Sequence, residues 1–168
     1  MRNRSTFPEY ARNRSVRLRR AAYLICRDWD LADDLLQTAL AKAWAAWPRI
    51  SGDPDPYVYR IMINTRRSWW QRRWRDEVPT AHMPETAGGD YADDVDRRTV
   101  LWAALGQLSA RQRAVIVLRY FEDLTEQQVA DILGCTVGSV KSHTHRAITR
   151  LRVDPGLTTM TTPEGKLT

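Results

Sequence analysis

The chain has 168 residues, 43% of them hydrophobic, with 26 Lys and Arg against 20 Asp and Glu for a net charge of +6. That length fits one ordinary domain or two small ones, and the sequence offers neither the run of about 20 apolar residues that a membrane helix needs nor the apolar stretch of a secretory signal in its charged N-terminus. Charge is unevenly placed, with 16 bases against 9 acids in residues 1–77, none against 5 in 78–96 and 10 against 6 in 97–168, so two basic blocks flank an acidic spacer.

In the first block Leu18, Ala21, Ala22 and Ile25 recur at helical spacing. So do Leu36, Ala39, Leu40, Ala43, Trp44 and Trp47, which predicts two amphipathic helices facing each other. Asp30, with Asp33 three residues on, is the expected N-cap and acidic first turn of the second helix. Asp55-Pro56 opens a third with proline at its first position, and "PYVYRIMINTRRSWWQRRWR" carries it to about Arg75. The spacer holds Pro79, Pro84, Gly88 and Gly89 and almost no apolar periodicity, as a flexible tether would.

Past the spacer, Val100, Leu101, Ala104, Leu105 and Leu108 mark a helix. Ser109 with Gln112 and Thr125 with Gln128 have the spacing of capping boxes that open the next two. Gly134 suits a left-handed helix end, and Thr136 can cap a last helix that buries Val140, Ala147, Ile148 and Leu151. This is the pattern of a helix-turn-helix. No strand-like alternation is long enough for a sheet. The expected fold is therefore all-α: a three-helix bundle over 1–77, a flexible acidic linker over 78–96, a helix-turn-helix domain over 97–152 and a polar tail over 153–168.

Two stretches carry recognisable chemistry. On the last helix Lys141, Ser142, His145 and Arg146 lie off the apolar stripe, with Ser139 and His143 on its flanks, and these side chains have the reach of base edges and phosphates in a major groove. On the third helix arginines interleave with Trp69, Trp70 and Trp74, which suits a strand of unstacked bases: guanidinium forks match phosphate oxygens and flat rings accept bases, about 1–3 kcal/mol per stack. Trp69 continues the Val58, Met62, Thr65 stripe and is expected in the core. Cys26 and Cys135 fall in different blocks among apolar neighbours, as reduced thiols of a cytoplasmic protein would. His143 and His145 with Cys135 lack the spacing of a zinc site, and no nucleophile, phosphate-loop or metalloprotease motif is present. Neither a metal, another cofactor nor an enzymatic activity is expected.

Taken together, these stretches resemble the extracytoplasmic-function sigma factors, the small two-domain promoter-specificity subunits of bacterial RNA polymerase, and among them the actinobacterial sigma-E-like group. The resemblance spans about residues 7–152. "ADDLLQTALAKAW" looks like the family's polymerase-docking helix, "DPYVYRIMINTRRSWWQRRWR" like the helix beside the melted −10 element, and "LSARQRAVIVLRYFEDLTEQQVADILGCTVGSVKSHTHRA" like the −35 reader. It implies polymerase contacts at Asp33, Asp34, Gln37 and Thr38, with Thr38 standing where the family commonly has an acid. It implies −10 contacts among Tyr59, Asn64, Arg66, Arg67, Trp70, Arg73 and Trp74, and −35 contacts among Ser139, Lys141, Ser142, His143, His145 and Arg146. Core polymerase, promoter DNA (duplex at −35, single-stranded at −10) and an anti-sigma factor are the partners so implied. A stand-alone helix-turn-helix repressor or activator is the alternative, but a ligand-sensing bundle has no use for a second basic surface. A nucleic-acid-processing enzyme would need an acidic metal cluster, whereas Asp33 with Asp34 and Asp93 with Asp94 are read as a helix face and part of the tether.

Overall fold

The structure, a computed structural model, describes residues 1–76 and 92–153, without the side chains at 70, 72–76 and 92–98. Among these residues there are seven α-helices and no strand. The first, α1 (Phe7–Cys26), has a proline in its first turn and ends at Arg27, which takes a left-handed conformation (φ 59). Asp28 then extends and its carboxylate accepts the N–H of Leu31 at 3.0 Å, so Asp28 is the cap of α2 (Trp29–Ala46). The expected cap, Asp30, lies one step inside the first turn. Asp53 accepts the N–H of Asp55 at 3.0 Å and opens α3 (Asp55–Asp76).

These three helices meet along Leu18, Ala21, Ala22, Ile25, Leu35, Ala39, Ala43, Val58 and Met62, all buried. The many alanines bring α1, α2 and α3 close, and each fully buried Leu or Ile contributes about 1.5–3 kcal/mol. Trp47 is fully buried in a satellite cluster with Ala46 and Ile50, its indole N–H donating to Asn3 and Thr6. Trp44, expected on the same stripe, is 42% exposed instead. One residue past Ala43 it turns outward, with Phe7 against its edge at 5.3 Å and Arg4 over its ring.

The helix α4 (Ala92–Gln107) begins inside the stretch expected as linker, so residues 92–96 are helical; the rest of that stretch, and the tail from 154 on, lie outside the described residues. Both capping boxes form. Ser109 and Gln112 exchange hydrogen bonds at the start of α5 (Ala110–Ile116), as Thr125 and Gln128 do at α6 (Glu126–Leu133). Between them α5 widens into a π-type turn over Val117–Phe121, closed by the N–H of Glu122 donating to Val117 at 3.1 Å. Gly134 is left-handed (φ 64), and Thr136 accepts the N–H of Ser139 to cap α7 (Val137–Arg152). The last helix packs on α5 and α6.

The two halves do not stand apart. Here α6 packs on α3, and the π turn and α5 pack on α1. Buried side chains of both halves belong to one continuous cluster, from Leu18 and Tyr59 to Leu118 and Ala147.

Candidate nucleic-acid interface

Only Val140 and Ala147 are buried on α7, with Ile148 and Leu151 partly so. That narrow stripe leaves Lys141, Ser142, His145 and Arg146 exposed together on the outer face. Lys141 keeps a loose ion pair with Glu126, 3.9 Å across the turn. Such an exposed pair is worth little and yields easily to a phosphate. Ser139 is committed to the cap, its hydroxyl accepting from Thr136 at 3.0 Å, so it is half-buried beside the reading face. His143 is half-buried as well, its Nδ1 covered and without a partner. Burial, aided by the positive charge of Arg111 and Arg146, holds its imidazole below the ordinary histidine value. A neutral ring there can accept a hydrogen bond as well as donate one.

The expected −10 residues are divided. Asn64 and Arg67 are exposed on α3. Tyr59 is only 1% exposed, and its hydroxyl donates to the Glu122 carboxylate that follows the π turn. The tyrosine therefore does not lie on a free DNA-facing surface here, because the C-terminal half covers it. Arg66 is half-buried within electrostatic reach of Cys26 and Arg113. The side chains of Trp70, Arg73 and Trp74 lie outside the described residues. Trp69 is half-buried and packs on the core, as its place in the stripe predicts.

An open groove of about 420 Å³ runs between α2 and α3, lined by Thr38, Lys42, Ile61, Asn64, Thr65, Ser68 and Trp69. It sets an amide, hydroxyls, an ammonium and an indole side by side, a mixture that suits a flat polar group. On the outer face of α2, Asp34 and Gln37 are exposed and Thr38 is half-buried at the groove. Asp33 is already engaged: Arg19 donates two hydrogen bonds to it, at 2.5 and 3.1 Å, and that guanidinium holds its carboxyl below the usual range.

Reasoning from sequence missed a set of residues along the line where the halves meet. Arg17 donates to the Glu122 carboxylate at 2.7 Å and to its carbonyl at 3.2 Å. Arg113, 8% exposed, donates to the carbonyls of Ile25 at 3.1 Å and Leu105 at 3.3 Å. Tyr23 stacks on Trp29 at 3.5 Å and on Trp102 at 4.3 Å, while Arg27 lies 4.8 Å over the Trp102 ring. The pairs Arg17–Glu122, Arg113–Ile25, Tyr23–Trp102 and Arg27–Trp102 join residues far apart in the chain, and no local pattern announces them. Cys26 packs beside this line, where burial pushes its thiol up to about 11.

No helix among the described residues is long and apolar enough to cross a membrane, and no group of three or more His, Cys, Asp and Glu side chains there could hold a metal. Residues 10–76 match the family model for Sigma-70 region 2, and residues 98–151 match that for Sigma-70, region 4. Over 148 residues the chain is 42% identical to the RNA polymerase sigma-E factor of Streptomyces coelicolor, covering 87% of this chain and 84% of that one. It is 31% identical over 142 residues to the ECF RNA polymerase sigma factor SigL of Mycobacterium tuberculosis, 80% of each chain. Among solved structures, the sigma factor RpoE of Bartonella quintana, crystallised with the anti-sigma factor NepR, superposes with a TM-score of 0.69 at 26% identity, over 87% of this chain and 94% of that one. CnrH, in complex with the cytosolic domain of CnrY, shares the fold with a TM-score of 0.66 at 21% identity, over 95% of this chain and 92% of that one.

Proposed function

Because this chain belongs to the extracytoplasmic-function group of the sigma-70 family, we propose that it binds the core enzyme of bacterial RNA polymerase and directs promoter-specific initiation by reading the −35 and −10 elements. The observation that carries this reading is the presence, in one chain and in this order, of both sigma regions. The chain forms no bonds itself. It supplies position and binding energy, and the polymerase supplies the chemistry. The cytoplasm, where polymerase and promoter are, is its place of work, and an anti-sigma factor is a further partner.

The division of labour follows the geometry. Region 4, over 97–152, lays α7 in the major groove, where Lys141, Ser142, His145 and Arg146 reach base edges and phosphates and His143 reads from the flank; Ser139 holds the helix start that orients them. Region 2, over 1–77, offers Asn64 and the adjoining groove to unstacked bases, Arg67 and Arg73 to phosphates, and Trp70 and Trp74 to base faces. Tyr59 and Arg66 join that surface once uncovered. Asp34, Gln37 and Thr38 dock on the polymerase, and Asp33, tied to Arg19, fixes the face they share. With the connection between α3 and α4 as tether, two modest DNA contacts add through effective concentration.

Reconstituted transcription tests this reading. Purified chain added to core polymerase and a library of promoter templates is expected to yield transcripts from a defined subset with shared −35 and −10 sequences. Transcription no different from core polymerase alone overturns it.

A further inference from the structure

The corner where α2 passes into α3, residues 47–54, has little of its own to hold it. Prolines stand at 48 and 54, and Gly52 is left-handed (φ 70) with open space beside it. From its own backbone the corner gains the bond from the Ile50 N–H to the Trp47 carbonyl, 3.2 Å. A proline cannot donate and a glycine has no preferred conformation, so the angle of such a turn is set by what grips it. At the far root Asp55 accepts from Tyr10 at 2.9 Å and from Arg14 at 3.1 Å. The near side is gripped by Arg2. Its backbone N–H donates to the Pro48 carbonyl at 3.3 Å, its Nε to that of Ile50 at 3.3 Å, and its Nη2 to that of Gly52. One residue thus satisfies three alternate carbonyls.

Arg2 is itself held. Its guanidinium lies 4.9 Å over the buried Trp47 ring, whose indole N–H donates to the Asn3 carbonyl and the Thr6 hydroxyl, both at 3.1 Å. Residues 2–6 therefore form a strap across the corner, and they precede the stretch 10–76 that matches the region 2 model. The corner has leverage over the groove between α2 and α3. Thr38 and Asn64, one on each wall, stand about 14 Å along their helices from it. A change of about 5° in the angle between the helices moves one wall by about 1 Å against the other. That is enough to loosen a site for a flat group.

We propose that Arg2 is a positioning residue for promoter opening: by gripping the carbonyls of Pro48, Ile50 and Gly52 it fixes the corner, and through it the width of the groove that takes unstacked bases. What the groove binds rests on the sigma-factor reading, whereas the strap's control of the groove stands on the contacts themselves. Arg2 touches no base in this role. It acts through the angle between α2 and α3, so the geometry of its guanidinium fork matters and its charge does not.

Two substitutions separate fork from charge. Arg2→Lys keeps the charge and loses the fork, and Arg2→Gln loses both. Full-length wild type and variants are each assembled with core polymerase. Binding is then measured to a fluorescein-labelled single-stranded oligonucleotide carrying the −10 sequence of the transcribed promoters, and to a duplex carrying their −35 sequence. Both variants should hold the single strand about tenfold more weakly, within the cost of one base stack, with duplex binding unchanged. In NMR spectra of the free chain, the Asn64 side-chain amide and the Trp69 indole N–H should shift in both variants. If Arg2→Lys captures the strand like wild type while Arg2→Gln does not, charge is at work and the positioning role is overturned. A lowered melting temperature with capture unchanged makes the strap merely structural, which also overturns it, and unshifted Asn64 and Trp69 resonances break the link from corner to groove. Should the wild-type assembly neither transcribe nor hold the oligonucleotide, the sigma-factor reading falls, and the NMR shifts alone decide whether the strap sets the groove.

Discussion

Both α3 and α7 are basic helices proposed to meet DNA, yet they meet solvent differently. Only two residues of α7 are buried, so a broad face is ready in the free chain. Val58, Tyr59, Met62 and Thr65 of α3 are buried, because α2 packs on one side of it and α6 on another. What separates the two is not composition but the number of neighbours that the apolar residues recruit. A recognition helix with one stripe is available at once, whereas one enclosed by neighbours is available only after something moves.

The largest effect should come from the free face of the N-terminal half. Asp34→Lys with Gln37→Ala leaves the buried residues of α2 intact, so thermal stability should shift by no more than about 0.5 kcal/mol. Charge reversal at a docking face costs several kcal/mol, so co-purification with core polymerase and promoter-directed transcription should both be lost while duplex DNA binding persists. If the variant docks like wild type, the free face of the N-terminal half lies elsewhere.

Next, Leu118→Ala probes whether the halves share a core. Leu118 is fully buried within the cluster that spans both, and its truncation should cost about 2–5 kcal/mol. Calorimetry should show one transition moving down as a whole. A second transition that stays in place would mean that α3 and α7 belong to independently melting units, and the contrast between them would then not be a matter of packing.

A smaller effect tests the readiness of α7. Lys141→Ala and Arg146→Ala should each weaken use of matched promoters by about 1–3 kcal/mol per lost base contact, against an unchanged melting temperature. A loss equal on all DNA sequences assigns the residue to phosphate instead.

The smallest concerns His143. With its pKa held low in the folded chain, the unfolded chain takes up the proton first. Stability is therefore lost as pH falls through the ordinary histidine value, near about 6.5, toward the lower folded one. An NMR titration of wild type should place His143 below the ordinary value, and His143→Gln should flatten the dependence of melting on pH in that range. A ring that titrates normally would mean the flank of α7 is as open as its outer face.

Local chemistry was legible and distant chemistry was not. Ser109 with Gln112, Thr125 with Gln128, and Gly134 each need only neighbours three or four residues away, and each sits where the spacing predicts. Asp30 is the cap expected from the sequence but Asp28 is the cap observed, because the helix start depends on a left-handed turn at Arg27, a residue type that gives no such signal. Trp44 follows a helical stripe and still points outward, since a bulky ring one residue off the stripe centre is turned by what lies beside it. Of the candidate DNA residues, Lys141, Ser142, His145 and Arg146 are exposed together as their spacing predicts, whereas Tyr59 is covered by a glutamate 63 positions away in the chain.

The wide turn over Val117–Phe121 bears on the chain's tolerance of length changes. It holds one residue more than an α-helical turn would, with no glycine or proline to mark it, and so sets the phase of everything that follows. Each residue of an α-helix turns the chain by about 100°. Deleting the exposed Tyr120 would let α5 continue as an ordinary helix while swinging Glu122 about a quarter-turn away from Arg17 and Tyr59. A one-codon deletion thus has a different outcome here from any substitution, since it re-aims the carboxylate without altering its identity.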